Sequence, residues 1–147
     1  MKYYALLLAA ISFAVPGMAL AGSTPLDIEQ LHYDIVHDAA RRGVIAVDSQ
    51  GRPLTFLLRI AKGQFLPPHG ATGPIRLLTV VSGTLSWGDG NKVDPAAERN
   101  FGPGSIIMVP AQGGEHWAAA RHGDVILQAV LVYDGALAPG AAAQVAP

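Results

Sequence analysis

The chain has 147 residues, half of them apolar and 14% charged, and it contains no cysteine. This length fits one domain with a hydrophobic core, and so few charges argue against general disorder. Without cysteine, disulfides, thiolate nucleophiles, zinc ribbons and iron–sulfur clusters are excluded. The formal charge of −1 argues against a nucleic-acid partner, because proteins that bind nucleic acids usually carry a basic surface.

Residues 1–21 have the pattern of a secretory signal peptide. Lys2 provides a positive start, an apolar run follows over residues 5–15, and Ala19-Leu20-Ala21 supplies small residues for a signal peptidase. The apolar run is shorter than the ~20 residues that a membrane-spanning helix needs. We therefore expect cleavage before Gly22, no membrane association afterwards, and a periplasmic or secreted protein.

The segment that follows the signal peptide fits two conformations. Leu31, Tyr33 and Ile35 alternate with polar residues as in a strand, whereas Leu31, Ile35 and Ala39 fit one face of a helix. A short helix followed by a strand at residues 44–47 is equally compatible with the pattern. The sequence leaves these alternatives open.

From Leu54 onward, runs of strand-forming residues alternate with Gly, Pro, Asn and Asp, which predicts an all-β sandwich or barrel. Gly88-Asp89-Gly90-Asn91 has the composition that a tight hairpin favours. The predicted strands are Leu54–Ile60, Ile75–Val81, Thr84–Trp87, Ser105–Val109, Glu115–Ala120 and Asp124–Tyr133.

These patterns divide the chain into four parts. The signal peptide occupies 1–21, a short N-terminal extension 22–50, the barrel 51–134 and a tail 135–147. The tail is rich in Ala, Gly and Pro, which predicts disorder.

Two stretches carry Gly, His and Pro at set intervals. The positions that define them are Gly63, His69, Gly83, Gly104, Pro110 and His116. Their spacing resembles the two sequence motifs of the cupin superfamily, in which five residues separate Gly from His and Gly from Pro. Pro67-Pro68-His69, Ser82-Gly83-Thr84 and His116-Trp117-Ala118 resemble small single-domain bacterial cupins. The resemblance covers roughly residues 54–132 and implies a jelly-roll barrel of about six to eight strands with a site in its mouth.

The chain departs from the cupin pattern at the positions that hold a metal. Cupins with a metal use two His and one Glu of the first motif and one His of the second. Here His69 and His116 remain, Ala71 and Arg76 replace the other two, and His116 lies one place late. Arg has no lone pair for a metal, and an inward Arg76 would repel each unit of cation charge by about 4 kcal/mol at ~4 Å and a dielectric of about 20. A shifted register at Ala71 would instead turn Arg76 to solvent.

The first functional hypothesis is that the barrel binds a small organic or anionic molecule and holds little or no metal. Arg76 would bind the negative charge, and the two imidazoles would donate hydrogen bonds to it. The expected ligand-binding residues are His69, Arg76, His116, Gln128 and Trp117. This hypothesis predicts that Arg76 lies inside the mouth, close to both histidines.

The second hypothesis is a metal-dependent oxidoreductase or isomerase. His69 and His116 would bind Fe, Mn, Ni, Cu or Zn, and Glu115 would join them only if Gly113-Gly114 formed a bulge, because adjacent strand residues face opposite sides. This hypothesis predicts converging imidazoles, a third donor and an outward Arg76. A third, purely structural hypothesis predicts a filled barrel.

The remaining polar residues carry less specific signals. We interpret His32, His37 and His122 as surface residues and Arg41-Arg42 as too short for a basic patch. The resemblance is compatible with a homodimer that forms through sheet edges.

Overall fold

The structure is a computed structural model that describes residues 22–145, so the predicted signal peptide lies outside the described residues. This part of the chain forms ten β-strands, one 3₁₀ turn and one short α-helix. The strands are β1 (Tyr33–Val36), β2 (Ala40–Val47), β3 (Pro53–Ile60), β4 (Phe65–His69), β5 (Ile75–Ser82), β6 (Leu85–Asp89), β7 (Arg99–Phe101), β8 (Ile106–Val109), β9 (His116–Ala119) and β10 (Val125–Val132). The 3₁₀ turn is Pro95–Ala97 and the helix α1 is Pro139–Val145.

The strands form two antiparallel sheets that enclose the core. The larger sheet has the order β1-β2-β3-β10-β5-β8, and the smaller has the order β4-β9-β6-β7. Every second residue of the central strands faces inward, so that Leu58, Leu127 and Val80 lie side by side on neighbouring strands. Each such apolar side chain contributes about 1.5–3 kcal/mol when fully buried. The all-β jelly-roll architecture expected from the sequence is confirmed.

The region expected to be an N-terminal extension is part of the larger sheet. Its ambiguous segment forms β1, and β2 pairs with β3 from Ala40 opposite Ile60 onward. A tight turn joins β1 to β2, with His37 at φ 53° and Asp38 at φ 52°. These left-handed backbone angles are unusual for residues other than glycine, and they suit a hairpin turn of the I′ type. The sheet therefore begins well before residue 51.

Strand β4 was not among the predicted strands, because Pro67-Pro68 interrupts its strand pattern. It lies at the edge of the smaller sheet and pairs with β9. The pairing is irregular between Leu66 and His69, where the two prolines lie. An edge position tolerates proline because one side of the strand needs no hydrogen-bond partner.

Two other expectations about the chain path differ from the structure. Strand β6 continues to Asp89, and its connection to β7 runs through the 3₁₀ turn instead of a tight hairpin. The Asp94 side chain caps this turn by accepting a hydrogen bond from the Ala96 N–H at 2.9 Å. Part of the tail expected to be disordered forms α1.

Within residues 22–145, no helix is both long and apolar enough to cross a membrane.

Candidate functional site

A cavity of about 160 Å³ lies between the two sheets. Its apolar lining comes from both sheets and includes Phe56, Leu66 and Leu127. Its lining residues with polar or charged side chains are His37, Arg42, His69, Arg76, Trp87 and His116. Among residues 22–145, no Asp or Glu lines this cavity. The cavity therefore combines apolar walls with two guanidinium groups and no carboxylate.

His69 and His116 lie opposite each other on β4 and β9, and their ring centroids are 4.3 Å apart. The Nδ1 of His69 lies 2.7 Å from the carbonyl oxygen of Pro67, and the Nδ1 of His116 lies 2.7 Å from that of Gly114. A carbonyl oxygen only accepts, so each Nδ1 carries the proton and each Nε2 keeps its lone pair. In their neutral form these rings accept hydrogen bonds at Nε2. The expectation that both imidazoles donate to an anion therefore requires their protonation.

Burial keeps both imidazoles neutral near pH 7. It lowers the pKa of His69 and lowers that of His116 to about 4, from an ordinary value of 6.5. The positive charge of Arg76 lowers the pKa of both histidines further. His116 is only 5% exposed, so its charged form would lose most of its hydration.

Four aromatic rings from four segments form a row along the cavity. The centroid of the His37 ring lies 4.1 Å from that of His69, and the Trp87 ring stacks on His116 at 4.2 Å with an interplanar angle of 12°. The Trp87 Nε1–H donates to the Asp89 carboxylate at 2.8 Å, which holds the indole in place. His37 is exposed as expected, yet sequence reasoning missed its contact with His69. That contact depends on how the β1–β2 turn packs against β4, and no local sequence signal reports it.

Arg76 points into the cavity, in the same inward series as Leu78 and Val80 on β5. Its Nη2 donates to the Gly70 carbonyl oxygen at 2.8 Å. A Cβ built on Gly70 would lie 2.9 Å from Arg76 Nη1 and 3.0 Å from His116 Cε1. Gly70 also has φ +84°, so the backbone conformation and the space both favour glycine. The guanidinium thus lies beside His116, and the alternative of an outward Arg76 does not occur.

Arg42 also lines the cavity, and sequence reasoning missed it. It faces inward on β2 opposite Leu58, whereas Arg41 is exposed on the other side of the strand. Within the described residues, the buried Nε atoms of Arg42 and Arg76 have no hydrogen-bond partner. Strand alternation in β2 was the signal that could have separated Arg42 from Arg41.

Two of the expected ligand-binding residues do not line the cavity. Gln128 lies between the cavity-lining residues Leu127 and Ala129 on β10, so it faces the outside of the barrel. Trp117 follows His116 on β9 and is buried on the opposite face of that strand. It packs on the Gly88 backbone, where an added Cβ would lie 2.1 Å from Trp117 Cε2.

Glu115 likewise lies outside the cavity. It lines a separate outer groove, together with Asp89 and Arg99. The extra residue of the second motif lies in a loop, where the Gly113 N–H donates to the Ala71 carbonyl oxygen at 2.9 Å. It produces no bulge that would bring Glu115 to the same side as His116.

The polar residues of the cavity do not fit a divalent transition metal. Such a metal prefers three or four protein donors, often including a carboxylate. Within residues 22–145, no three His, Cys, Asp or Glu side chains form a group that could hold a metal ion. Arg76 beside His116 adds a positive charge that opposes a bound cation.

Comparison with solved structures identifies the architecture. A cupin superfamily protein from Desulfitobacterium hafniense matches with a TM-score of 0.52 and 19% identity, over 77% of this chain and 94% of that one. The chain has the cupin fold. A predicted oxalate decarboxylase from Thermotoga maritima has a TM-score of 0.59 and 11% identity to this protein, over 74% of this chain and 98% of that one.

A third similar structure has a higher sequence identity, but the match covers a smaller share of that structure's chain. It is a chain of the complex between SigE and the anti-sigma ChrR of Rhodobacter sphaeroides, with a TM-score of 0.54 and 25% identity. The match covers 71% of this chain and 50% of that one, so this chain spans about half the length of that protein. No protein-family model and no curated protein matches the sequence. The comparisons therefore show the fold, and a shared fold does not by itself determine an activity.

Proposed function

We propose that this cupin binds a small organic anion in the cavity between its two sheets. The observation that carries the proposal is the inward guanidinium of Arg76, beside His116, in a cavity that no described carboxylate lines. A negative charge at ~4 Å from one guanidinium gains about 4 kcal/mol at an effective dielectric of about 20. An arginine in this setting suits a carboxylate, whose two oxygens match its donors.

The rest of the cavity supports an apolar body for the ligand. Phe56, Leu78 and Leu127 line the cavity, and such apolar side chains favour contact with hydrocarbon parts of a ligand over contact with its polar groups. Its volume of about 160 Å³ is close to that of an apolar cavity of ~150 Å³ that accepts benzene. A carboxylate with a short carbon chain or a small ring has the required size and polarity.

The two histidines make the proposed binding dependent on pH. Their Nε2 atoms donate to an anion only after protonation, and burial opposes protonation in the empty cavity. A bound anion would raise both pKa values, so binding would take up protons. The affinity should therefore rise as the pH falls from 8 toward 5, as long as the protein stays folded.

The proposal can be tested with butanoate and with its uncharged amide, butanamide, by calorimetric titration. We expect butanoate to bind and butanamide to bind at least ~10-fold more weakly, because the amide lacks the charge that Arg76 recognises. Arg76→Met should reduce butanoate affinity by ~10- to 100-fold, the range for a hydrogen bond to a charged group. Arg99→Met, on the outer groove, is the matched control and should leave the affinity unchanged.

Two results would overturn the proposal. One is equal binding of butanoate by the protein and by Arg76→Met. The other is a near-stoichiometric transition metal in protein purified without a His tag, lost in both His69→Ala and His116→Ala. The second result would favour the metal-dependent oxidoreductase or isomerase.

We also propose that the protein is exported and that the mature chain begins at Gly22. The support is the composition of residues 1–21 alone. Expression of the full-length chain in a Gram-negative host, followed by intact mass measurement of the periplasmic fraction, tests this directly. A cytoplasmic product that keeps its first 21 residues would contradict it.

A further inference from the structure

The cavity contains a second guanidinium that the proposed function does not use. Arg42 faces inward from β2, and its buried Nε has no hydrogen-bond partner among the described residues. The carboxylate that lies across from it on β1, Asp34, contacts His32 at 3.2 Å instead. Arg42 therefore brings to the cavity a positive charge that no described salt bridge neutralises.

Arg42 and Arg76 reach the cavity from two strands of the larger sheet that are not neighbours, β2 and β5. Arg42 pairs with Leu58, Leu58 with Leu127, and Leu127 with Val80 on β5, so one row of inward residues joins Arg42 to Val80. Arg76 lies four residues before Val80 on the same strand. The backbones of Arg42 and Arg76 are therefore separated by three inter-strand spacings of about 4.8 Å each across the sheet. Along the strand direction they are separated by four residues, each with a rise of about 3.4 Å. The two arginine side chains therefore enter the cavity from different strands and from different levels of the sheet.

The space between these two positions is apolar. Phe56, Leu78 and Ala129 form the next inward row, between the row of Arg42 and the position of Arg76. Arg76 lies beside His116, because both side chains would touch a Cβ added at Gly70. Arg42 lies on β2, three places from β5 in the larger sheet.

We propose that the ligand is a small dicarboxylate, with one carboxylate on Arg76 and the other on Arg42. This inference rests on the proposed function, because it places a second charged end on the same bound molecule. Two positive side chains and no negative one among the described lining residues match the two charges of the ligand. A short methylene spacer would lie against the apolar row. Oxalate, which has no spacer, would reach only one guanidinium.

Calorimetric titration with pairs of equal carbon number tests the inference. Succinate is compared with butanoate, and glutarate with pentanoate, at the same pH and ionic strength. We expect each dicarboxylate to bind at least ~10-fold more tightly than its monocarboxylate, by the strength of one further hydrogen-bonded charge pair. Oxalate should bind no more tightly than the monocarboxylates.

Arg42→Met should remove the preference for dicarboxylates, so that succinate binds no more tightly than butanoate to this variant. Arg41→Met changes the neighbouring exposed residue of the same strand and is the matched control, in which the preference should persist. The comparison of dicarboxylates with monocarboxylates on the unmodified protein needs no variant, so it decides the matter even if Arg42→Met fails to fold.

The outcomes separate the two proposals. If no carboxylate binds, both the proposed function and this inference are overturned. If butanoate binds through Arg76 but succinate and glutarate bind no better than their monocarboxylates, the proposed function stands and the dicarboxylate inference is overturned. An equal preference for dicarboxylates in Arg42→Met and in the unmodified protein would also overturn it.

Discussion

Trp87 separates two concave regions whose charges are arranged in opposite ways. On its inner side lies the cavity, where Arg42 and Arg76 point inward and no described carboxylate faces them. On its outer side lies a larger groove of about 450 Å³, where Arg99 forms a salt bridge with Asp89. The outer groove has the greater volume, but its arginine is already paired.

This difference shows why volume alone does not locate the site. A guanidinium that already binds a carboxylate has little electrostatic energy left for a ligand, and exposed pairs are weak in any case. A partly buried guanidinium with an unpartnered Nε has lost hydration without replacing it, so an incoming anion restores the missing interaction. The smaller region is therefore the stronger candidate. Four predictions test this contrast.

Trp87→Ala removes the wall between the two regions and should have the largest effect. Trp87 is 2% exposed, stacks on His116 and donates a hydrogen bond to Asp89, so its truncation removes buried contacts and leaves a void. We expect the free energy of unfolding, measured with urea, to fall by about 3–5 kcal/mol. Trp87→Phe, which keeps an aromatic ring, should cost less. A loss below about 1 kcal/mol for Trp87→Ala would mean that the indole does not support the cavity.

The pH dependence of stability is the second prediction. The pKa of His116 is about 4 in the folded state and 6.5 ordinarily, so the unfolded chain binds more protons between these values. Stability is therefore complete above pH 6.5 and is lost as the pH falls toward 4. This histidine alone should make the protein about 2 kcal/mol less stable at pH 5 than at pH 7.5.

His116→Gln isolates this contribution, because the acidic residues that also titrate at low pH remain. Urea unfolding at the two pH values should show a difference about 2 kcal/mol smaller for His116→Gln than for the unmodified protein. His122→Gln, at an exposed histidine, should leave the difference unchanged. Equal pH dependence in His116→Gln and the unmodified protein would show that His116 titrates normally.

Gly70→Ala and Gly63→Ala form a matched pair for the third prediction. Both glycines have positive φ, +84° and +85°, so alanine at either position costs about 1–2 kcal/mol of backbone energy. Only Gly70 has Arg76 and His116 within contact of an added Cβ, whereas nothing lies within 4 Å at Gly63. Gly70→Ala should therefore displace the guanidinium and weaken butanoate binding by ~10-fold, with Gly63→Ala unchanged in affinity. Equal affinities in the two variants would place the ligand away from Arg76.

The sequence predicted the strands of the barrel better than it predicted which side chains enter the cavity. Motif spacing pointed to His69 and His116, which lie opposite each other at strand ends, but it left open whether Arg76 faces the cavity or the solvent. Side-chain direction was harder to predict on β10. Its inward residues and its outward neighbours Ile126 and Val130 are equally apolar, so alternation alone could not show that Gln128 faces out.

The missed contributions of Arg42 and His37 have a different cause. Both residues lie in the segment whose pattern suited a helix as well as a strand, so their faces could not be assigned before the register was known. The position of His37 beside His69 also depends on packing between β4 and a turn from the other sheet. Such long-range contacts leave no periodic signal in a single sequence.

Arg99→Met is the fourth prediction and should have the smallest effect. The side chains of Arg99 and Asp89 are 54% and 70% exposed, so water and salt screen their interaction. We expect the free energy of unfolding to fall by no more than about 1 kcal/mol. Asp89 should still accept the Trp87 Nε1–H bond, which leaves the cavity wall in place. Butanoate affinity should therefore stay within about twofold, and a 10-fold loss in this variant would move the anion site from the cavity to the outer groove.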